Sequence, residues 1–96
     1  MLNKIGDFTK TSHFLYRQWD RNVPDELLIN VIQSLRIPIE KGLLLIISRN
    51  KIKCFLRCDK KELFIKISGK LLITCFYCDI NEYQKPNKKQ NIIIIN

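Results

Sequence analysis

The sequence predicts a small α+β domain in which two N-terminal helices pack on an antiparallel sheet of four or five strands. Apolar residues in the first third of the chain recur at helical spacing, whereas beyond Gly42 they form β-branched runs separated by short charged turns. The chain has 96 residues, which is enough for one hydrophobic core and too few for two. We therefore assign residues 1–96 to a single domain.

The two helices are predicted from capping residues and apolar spacing. The first runs from about Lys10 to Arg21, with Asp7 or Thr9 as its N-cap. The second opens at Pro24, since proline and the acidic residues that follow it are favoured in a first turn. Its apolar stripe recurs at steps of three and four residues and ends before Pro38. The stripe consists of Leu27, Leu28, Val31, Ile32 and Leu35.

Four strands joined by short turns are predicted after the helices, at Leu43–Ser48, Lys51–Cys58, Glu62–Ser68 and Leu71–Cys78. Consecutive hairpins of this kind form an antiparallel meander. Asn91–Asn96 carries four isoleucines and is a candidate fifth strand at the edge of the sheet.

One face of the predicted sheet is expected to be basic and aromatic. Side chains alternate between the two faces of a strand, and the polar and aromatic set away from the helices comprises Lys53, Phe55, Arg57, Phe64 and Lys66. Cations mixed with aromatic rings are typical of surfaces that hold single-stranded nucleic acid. Solvated lysines on the open face of an antiparallel sheet are an equally consistent interpretation.

The charge of the chain indicates a polyanionic partner. Lysine and arginine number 17 against 9 acidic residues, so the formal net charge is +8 and the pI is about 9.5. Nucleic acid is the leading candidate, followed by an acidic protein or an anionic membrane surface. We expect no membrane-spanning segment, because no apolar run approaches the ~18 residues that a bilayer requires. No phosphate-binding loop, dinucleotide fingerprint, HExxH or GxSxG motif occurs.

The cysteines leave three interpretations open. Cys54 and Cys58 are followed after sixteen residues by Cys75 and Cys78, a spacing close to that of zinc ribbons. Both pairs nevertheless lie inside strand-like runs without the glycine or proline of a zinc knuckle. Buried reduced thiols are the favoured interpretation, and disulfides are the third. Reduced thiols indicate a cytosolic compartment, and we predict neither a metal nor another cofactor.

A stripe of His13, Arg17 and Arg21 is the best indication of function. Steps of four residues return to nearly the same side of a helix, so these three side chains share one face. Histidine exchanges protons near neutral pH, and the arginine fork matches phosphate oxygens. The alternatives are a solvated charged face and a structural histidine. The neighbouring Trp19 is expected to be a core residue rather than a platform for bases.

Two short segments resemble the small ribonuclease toxins of the barnase, EndoU, colicin and RelE (BECR) fold group. These segments are Thr11-x-His13-x3-Arg17-x3-Arg21-x-Val23-x2-Glu26 and Leu72-Ile73-Thr74-Cys75-Phe76-Tyr77. The group includes domains at the C-terminal tips of polymorphic and contact-dependent growth inhibition toxins. The resemblance implies a BECR-like fold and cleavage of RNA, without metal, by attack of the ribose 2′-OH on the adjacent phosphorus.

The resemblance also implies roles for individual residues. His13 would carry the proton, Arg17 would stabilise the transition state and Thr74 would bind a phosphate oxygen, with Tyr77 or Tyr16 assisting. Strand alternation puts Thr74 and Tyr77 on opposite sheet faces, and we favour Thr74. The residues expected to bind RNA are Arg21, Tyr16, Lys53, Arg57, Lys66 and Lys88.

The sequence thus predicts a metal-independent endoribonuclease toxin, with tRNA as the substrate that the resemblance suggests. A cognate immunity protein or antitoxin, acidic in character, would neutralise it. Such a toxin would act in the cytoplasm of a target cell, delivered as the C-terminal part of a larger protein. The main alternative is a non-catalytic nucleic-acid-binding or toxin-antitoxin module in which His13 is structural, and a zinc-stapled binding domain is the third interpretation.

Overall fold

A computed structural model describes residues 1–33, 35, 42–55, 61–83 and 91–96. Within these ranges the helices are α1 (Ser12–Asp20), α2 (Asp25–Ile32) and α3 (Arg49–Ile52). The strands are β1 (Lys4–Ile5), β2 (Phe8–Lys10), β3 (Leu43–Ile47), β4 (Glu62–Ser68), β5 (Leu71–Cys78) and β6 (Asn91–Ile95). None of the helices in these ranges is long and apolar enough to cross a membrane.

The strands form one six-stranded sheet in the order β1-β2-β5-β4-β3-β6. Neighbours are antiparallel except that β2 runs parallel to β5 and β6 runs parallel to β3. The fold is α+β. We predicted two N-terminal helices on an antiparallel sheet of four or five strands, in a BECR-like arrangement, and that prediction is wrong. The sheet is mixed because both ends of the chain add strands to it, and sequence periodicity does not reveal such distant pairings.

The N-terminal strands were not predicted. β1 and β2 form a hairpin in which Ile5 pairs with Phe8. The turn between them contains Gly6, whose φ of +57° is in the left-handed region that glycine adopts without strain. Because β2 then pairs with β5, the segment that leads into α1 is part of the sheet.

The predicted strand at Lys51–Cys58 is wrong for residues 51–55, and residues 56–58 lie outside the described ranges. Ser48 instead caps α3, its hydroxyl accepting a hydrogen bond from the Lys51 amide at 3.3 Å, and residues 53–55 form a turn. The alternation of polar and apolar residues here is short, so a local cap and the burial of Ile52 decide the conformation. β3 consequently pairs directly with β4. The other three predicted strands and the candidate edge strand correspond to β3, β4, β5 and β6.

Both faces of the sheet carry buried apolar residues. The main core lies between one face and the helices, with Phe14, Leu27 and Ile52 contributed by α1, α2 and α3. On the opposite face, Phe64 is fully buried and its ring stacks on Phe76 with centroids 5.2 Å apart. The second core therefore occupies the face that was expected to be open, basic and aromatic.

Candidate functional site

The orientation of α1 is set by its contacts with β5 and with the main core. The Thr11 hydroxyl donates to the Ile73 carbonyl at 2.9 Å and accepts from the Phe14 amide at 3.1 Å, so the first turn is tied to the sheet. Phe14 and Gln18, one turn apart, are 0% and 1% exposed. The remaining sides of α1 consequently face away from the core.

A buried polar cluster lies under α1. The Asp25 carboxylate accepts hydrogen bonds from Lys10 Nζ, from Gln18 Nε2 at 2.8 Å and from the Leu2 amide at 2.8 Å. Burial works to raise the pKa of Asp25, but these hydrogen bonds and the Lys10 charge outweigh it and lower the pKa to about 2. We call Lys10, Gln18 and Asp25 the Lys10 cluster. It joins β2, α1 and α2 and holds α1 in one rotational setting.

The histidine and arginines of the predicted stripe lie along one side of α1. His13 is exposed, and its imidazole forms no hydrogen bond with any residue of the described ranges. Arg17 is half-buried one turn further along, and the exposed Arg21 caps the helix, with its Nε 3.6 Å from Oδ2 of Asp20. A structural role for His13 would require the imidazole to bond to other residues, and no residue of the described ranges does so.

An exposed aromatic pair stands beside this stripe. Tyr16 and Trp19 are 56% and 65% exposed, and their ring centroids are 6.2 Å apart at an interplanar angle of 41°. The expectation that Trp19 belongs to the core is wrong. Gln18 takes the inward position instead. Its amide nitrogen donates hydrogen bonds to the Val23 carbonyl at 2.9 Å and to the Asp25 carboxylate.

Cys75 lies on the helix-facing side of β5 and is buried in the main core. Burial raises the pKa of the Cys75 thiol to about 12, and the charges of Lys10, Arg17 and Arg21 partly offset that rise. Cys75 stays protonated near neutral pH and is a core residue rather than a nucleophile.

The other cysteines give a mixed result. Cys54 is exposed and Cys78 half-buried, so the expectation of buried thiols is wrong for Cys54. Cys58 lies outside the described residues. In the ranges that the structure describes, no three His, Cys, Asp or Glu side chains are grouped in a way that could hold a metal ion.

Thr74 and Tyr77 lie on opposite faces of the sheet, as strand alternation requires. Thr74 pairs with Lys66 on the face of the second core, whereas Tyr77 pairs with Leu63 and packs against the main core. The pairing of β4 with β5 shifts in register between Lys66 and Ile67, which on β5 is before Thr74. The shift therefore does not bring Thr74 and Tyr77 to the same face. The sheet thus separates Thr74 from α1, and Tyr77, which we did not favour, is on the α1 side.

The predicted RNA-binding residues that the structure describes lie in three parts of the fold, namely α1 with its C-cap, the turn after α3, and β4. Lys53 lies in the turn after α3 and Lys66 on β4, both exposed, while Arg57 and Lys88 are outside the described residues. Two aromatic residues were expected beside these cations. Phe64 is instead buried in the second core, and Phe55 packs on the main core. Tyr16 lies on α1, and Arg21 is the C-cap residue of that helix.

The signal that sequence reasoning missed is therefore Trp19, which with Tyr16 extends the histidine and arginine stripe into a larger surface. We call His13, Tyr16, Arg17, Trp19 and Arg21 the α1 surface.

Comparisons with family models, with curated proteins and with solved structures found no match to this chain. The resemblance to BECR toxins consequently remains a prediction from residues 11–26 and 72–77, and the interpretation of the α1 surface depends on its own residues.

Proposed function

We propose that this protein binds RNA on the α1 surface and cleaves it there as a metal-independent endoribonuclease. The observation that carries the proposal is the exposed imidazole of His13, to which no described residue forms a hydrogen bond, with Tyr16 and Arg17 three and four residues further along the same helix. Side chains at these spacings are neighbours on a helix surface. Together they offer a proton carrier, a phenol and a fixed cation around one point.

The chemistry follows from these groups. His13 removes the proton from a ribose 2′-OH, whose oxygen attacks the adjacent phosphorus. Arg17 stabilises the negative charge that develops on the phosphate oxygens. The bond from phosphorus to the 5′-oxygen breaks, and that oxygen takes a proton from Tyr16 or from water. The products are a 2′,3′-cyclic phosphate and a free 5′-hydroxyl.

The rest of the α1 surface suits the holding of a strand. Arg21, one turn beyond Arg17, would contact a second phosphate, and the exposed rings of Tyr16 and Trp19 would stack on bases. The net charge of +8 would draw RNA to the protein. The resemblance to BECR toxins suggests tRNA as the substrate.

The toxin role belongs to the same proposal. A partner able to cover the α1 surface would need acidic groups to match its arginines, which is the character expected of a cognate immunity protein or antitoxin. The enzyme would then act in the cytoplasm of a target cell after delivery by a larger protein. Support for this part comes from the resemblance and from charge alone.

The test is incubation of the chain with total cellular RNA in excess EDTA, followed by end-group analysis of the products. We expect discrete fragments that end in 2′,3′-cyclic phosphate, and a loss of rate of at least about a hundredfold in His13→Ala. Lys70→Ala, which removes an exposed cation in the turn before β5, is the matched control and should cleave normally. Intact RNA, or equal cleavage by the wild type and His13→Ala, would exclude the proposed endoribonuclease activity of the α1 surface.

A non-catalytic RNA-binding module is the second candidate, and the position of Thr74 favours it. With Thr74 across the sheet from α1, the α1 surface lacks the phosphate contact that the resemblance assigned to Thr74. Trp19 is the only tryptophan, so its fluorescence would report binding of an oligonucleotide directly. Quenching by RNA that stays intact would establish this second function, whereas no quenching and no cleavage would exclude both.

A further inference from the structure

One edge of the sheet is an apolar strand without a neighbour among the described strands. β6 ends the strand order, and β3 is its only partner within the part of the chain that the structure describes. Its sequence, Asn91 followed by four isoleucines, contains no charge and no proline, which are the usual devices that protect an edge from pairing. Ile94 is 51% exposed on this strand.

The directions of the backbone groups of β6 can be assigned from one hydrogen bond. The Ser48 amide donates to the Ile95 carbonyl at 2.8 Å, so Ile95 directs its backbone groups towards β3. Successive residues of a strand direct these groups to opposite sides. Ile93 therefore also bonds towards β3, whereas Ile92 and Ile94 direct an N–H and a C=O each to the outside.

We propose that β6 pairs antiparallel with β6 of a second copy of this chain, across a two-fold axis at Ile93. In this register Ile92 opposes Ile94 of the second copy, and Ile94 opposes its Ile92. These are the residues with outward backbone groups, so two doubly hydrogen-bonded pairs form, with four N–H···O bonds. All paired residues lie within Asn91–Ile95.

The second copy fits this edge because the register is self-complementary on both faces. A two-fold axis perpendicular to the sheet keeps each face continuous, so Ile93, packed on the main core, meets its own counterpart. The exposed Ile94 meets Ile92, which packs on the second core. β6 and its neighbour β3 are uncharged, so the net charge of +8 is not concentrated at the contact.

The position of the edge makes this dimer compatible with the α1 surface. α1 packs on β5, and β4 and β3 separate β5 from β6 in the sheet. Each dimer would present two α1 surfaces. Because a single strand pair buries little area, the dimer is expected to be weak and to depend on protein concentration.

The test is sedimentation velocity of the full chain over a wide range of concentration. We expect a monomer–dimer equilibrium whose dissociation constant rises at least about tenfold in Ile94→Lys. Leu71→Lys is the matched control, because Leu71 is 45% exposed and lies on β5, which has neighbours on both sides. It adds the same charge and should leave the equilibrium unchanged.

Hydrogen exchange of the unmodified chain gives a second measurement that no variant can confound. The amides of Ile92 and Ile94 should exchange more slowly as concentration rises, while the amide of Ile93, which bonds to β3, should change little. A monomer at every concentration would overturn the proposal. So would a dimer that Leu71→Lys dissociates as strongly as Ile94→Lys, or one that leaves the exchange of Ile92 and Ile94 unaltered.

Discussion

Two charged clusters join secondary-structure elements in this fold, and they differ in their access to water. In the Lys10 cluster, the side chain of Lys10 is 0% exposed and that of Asp25 is 21% exposed. In the second cluster, Arg49 donates to Glu62 at 2.9 Å and to Asp79 at 3.0 Å, and Arg49 and Asp79 are 35% and 29% exposed. We call these three residues the Arg49 cluster.

The difference shows that similar ion pairs can contribute differently to the stability and the packing of a fold. A buried cation that loses its partner costs several kcal/mol, so the Lys10 cluster strongly favours the one arrangement that keeps Lys10 and Asp25 together. That arrangement also fixes Gln18 and with it the side of α1 that faces outward. Water can replace the contacts of Arg49. The Arg49 cluster therefore links the start of β4 to the end of β5 but does not determine how these strands pack.

The largest effect is expected from breaking the Lys10 cluster. Lys10→Met keeps an unbranched side chain one atom shorter and leaves the Asp25 carboxylate without its cation. Because Asp25 keeps some solvent and two other donors, we expect the free energy of unfolding to fall by about 3 kcal/mol, the lower end for a broken buried pair. Urea unfolding followed by circular dichroism measures this.

Lys4→Met controls for the loss of a positive charge, since Lys4 is exposed on the neighbouring β1. Its expected change in unfolding free energy is below about 0.5 kcal/mol. Equal losses in the two variants would mean that burial of Lys10 contributes nothing, and the distinction between the clusters would fail.

A smaller effect is expected from acid. The pKa of Asp25 falls from 3.8 to about 2 on folding, so its contribution to stability is present above the unfolded value and is lost as pH falls through the folded one. Between about pH 5 and pH 2, the wild type should lose up to about 2 kcal/mol that Asp25→Asn does not lose. Urea midpoints of both proteins across this range test it, and parallel curves would assign acid sensitivity to other carboxylates.

The sequence predicted the elements that local patterns specify. Leu63, Ile65 and Ile67 alternate with their neighbours, and β4 is where that alternation indicated. The strand at Lys51–Cys58 failed because its alternation was equally compatible with a capped turn of helix. The β1–β2 hairpin carried a weak local signal, Gly6-Asp7 between the single apolar residues Ile5 and Phe8. Its pairing with β5 joins residues more than sixty positions apart in the chain.

The candidate site was predicted in part for the same reason. His13 and Arg17 share a helix face by local geometry, and the structure has them there. The exposure of Trp19 could not be read from hydrophobicity, because Gln18 takes the inward position only through Asp25 and Val23. To predict the position of Thr74 relative to α1, one must know which sheet face α1 covers. That face is determined by the whole fold and not by the local sequence.

The smallest effect is expected from the Arg49 cluster. Hydrogen bonds to Glu62 and Asp79 raise the pKa of Arg49, so it is charged throughout the stable range, but its exposure lets water and salt replace these partners. Arg49→Gln should shift the urea midpoint less than about half as far as Lys10→Met, because Arg49 and Asp79 are 35% and 29% exposed although Glu62 is only 11% exposed. Its shift should shrink as salt is added. The shift of Lys10→Met should persist in salt, because buried pairs are weakly screened. If salt instead weakened both shifts alike, the Lys10 cluster would be as open to solvent as the Arg49 cluster, and the fixed setting of α1 would need another cause.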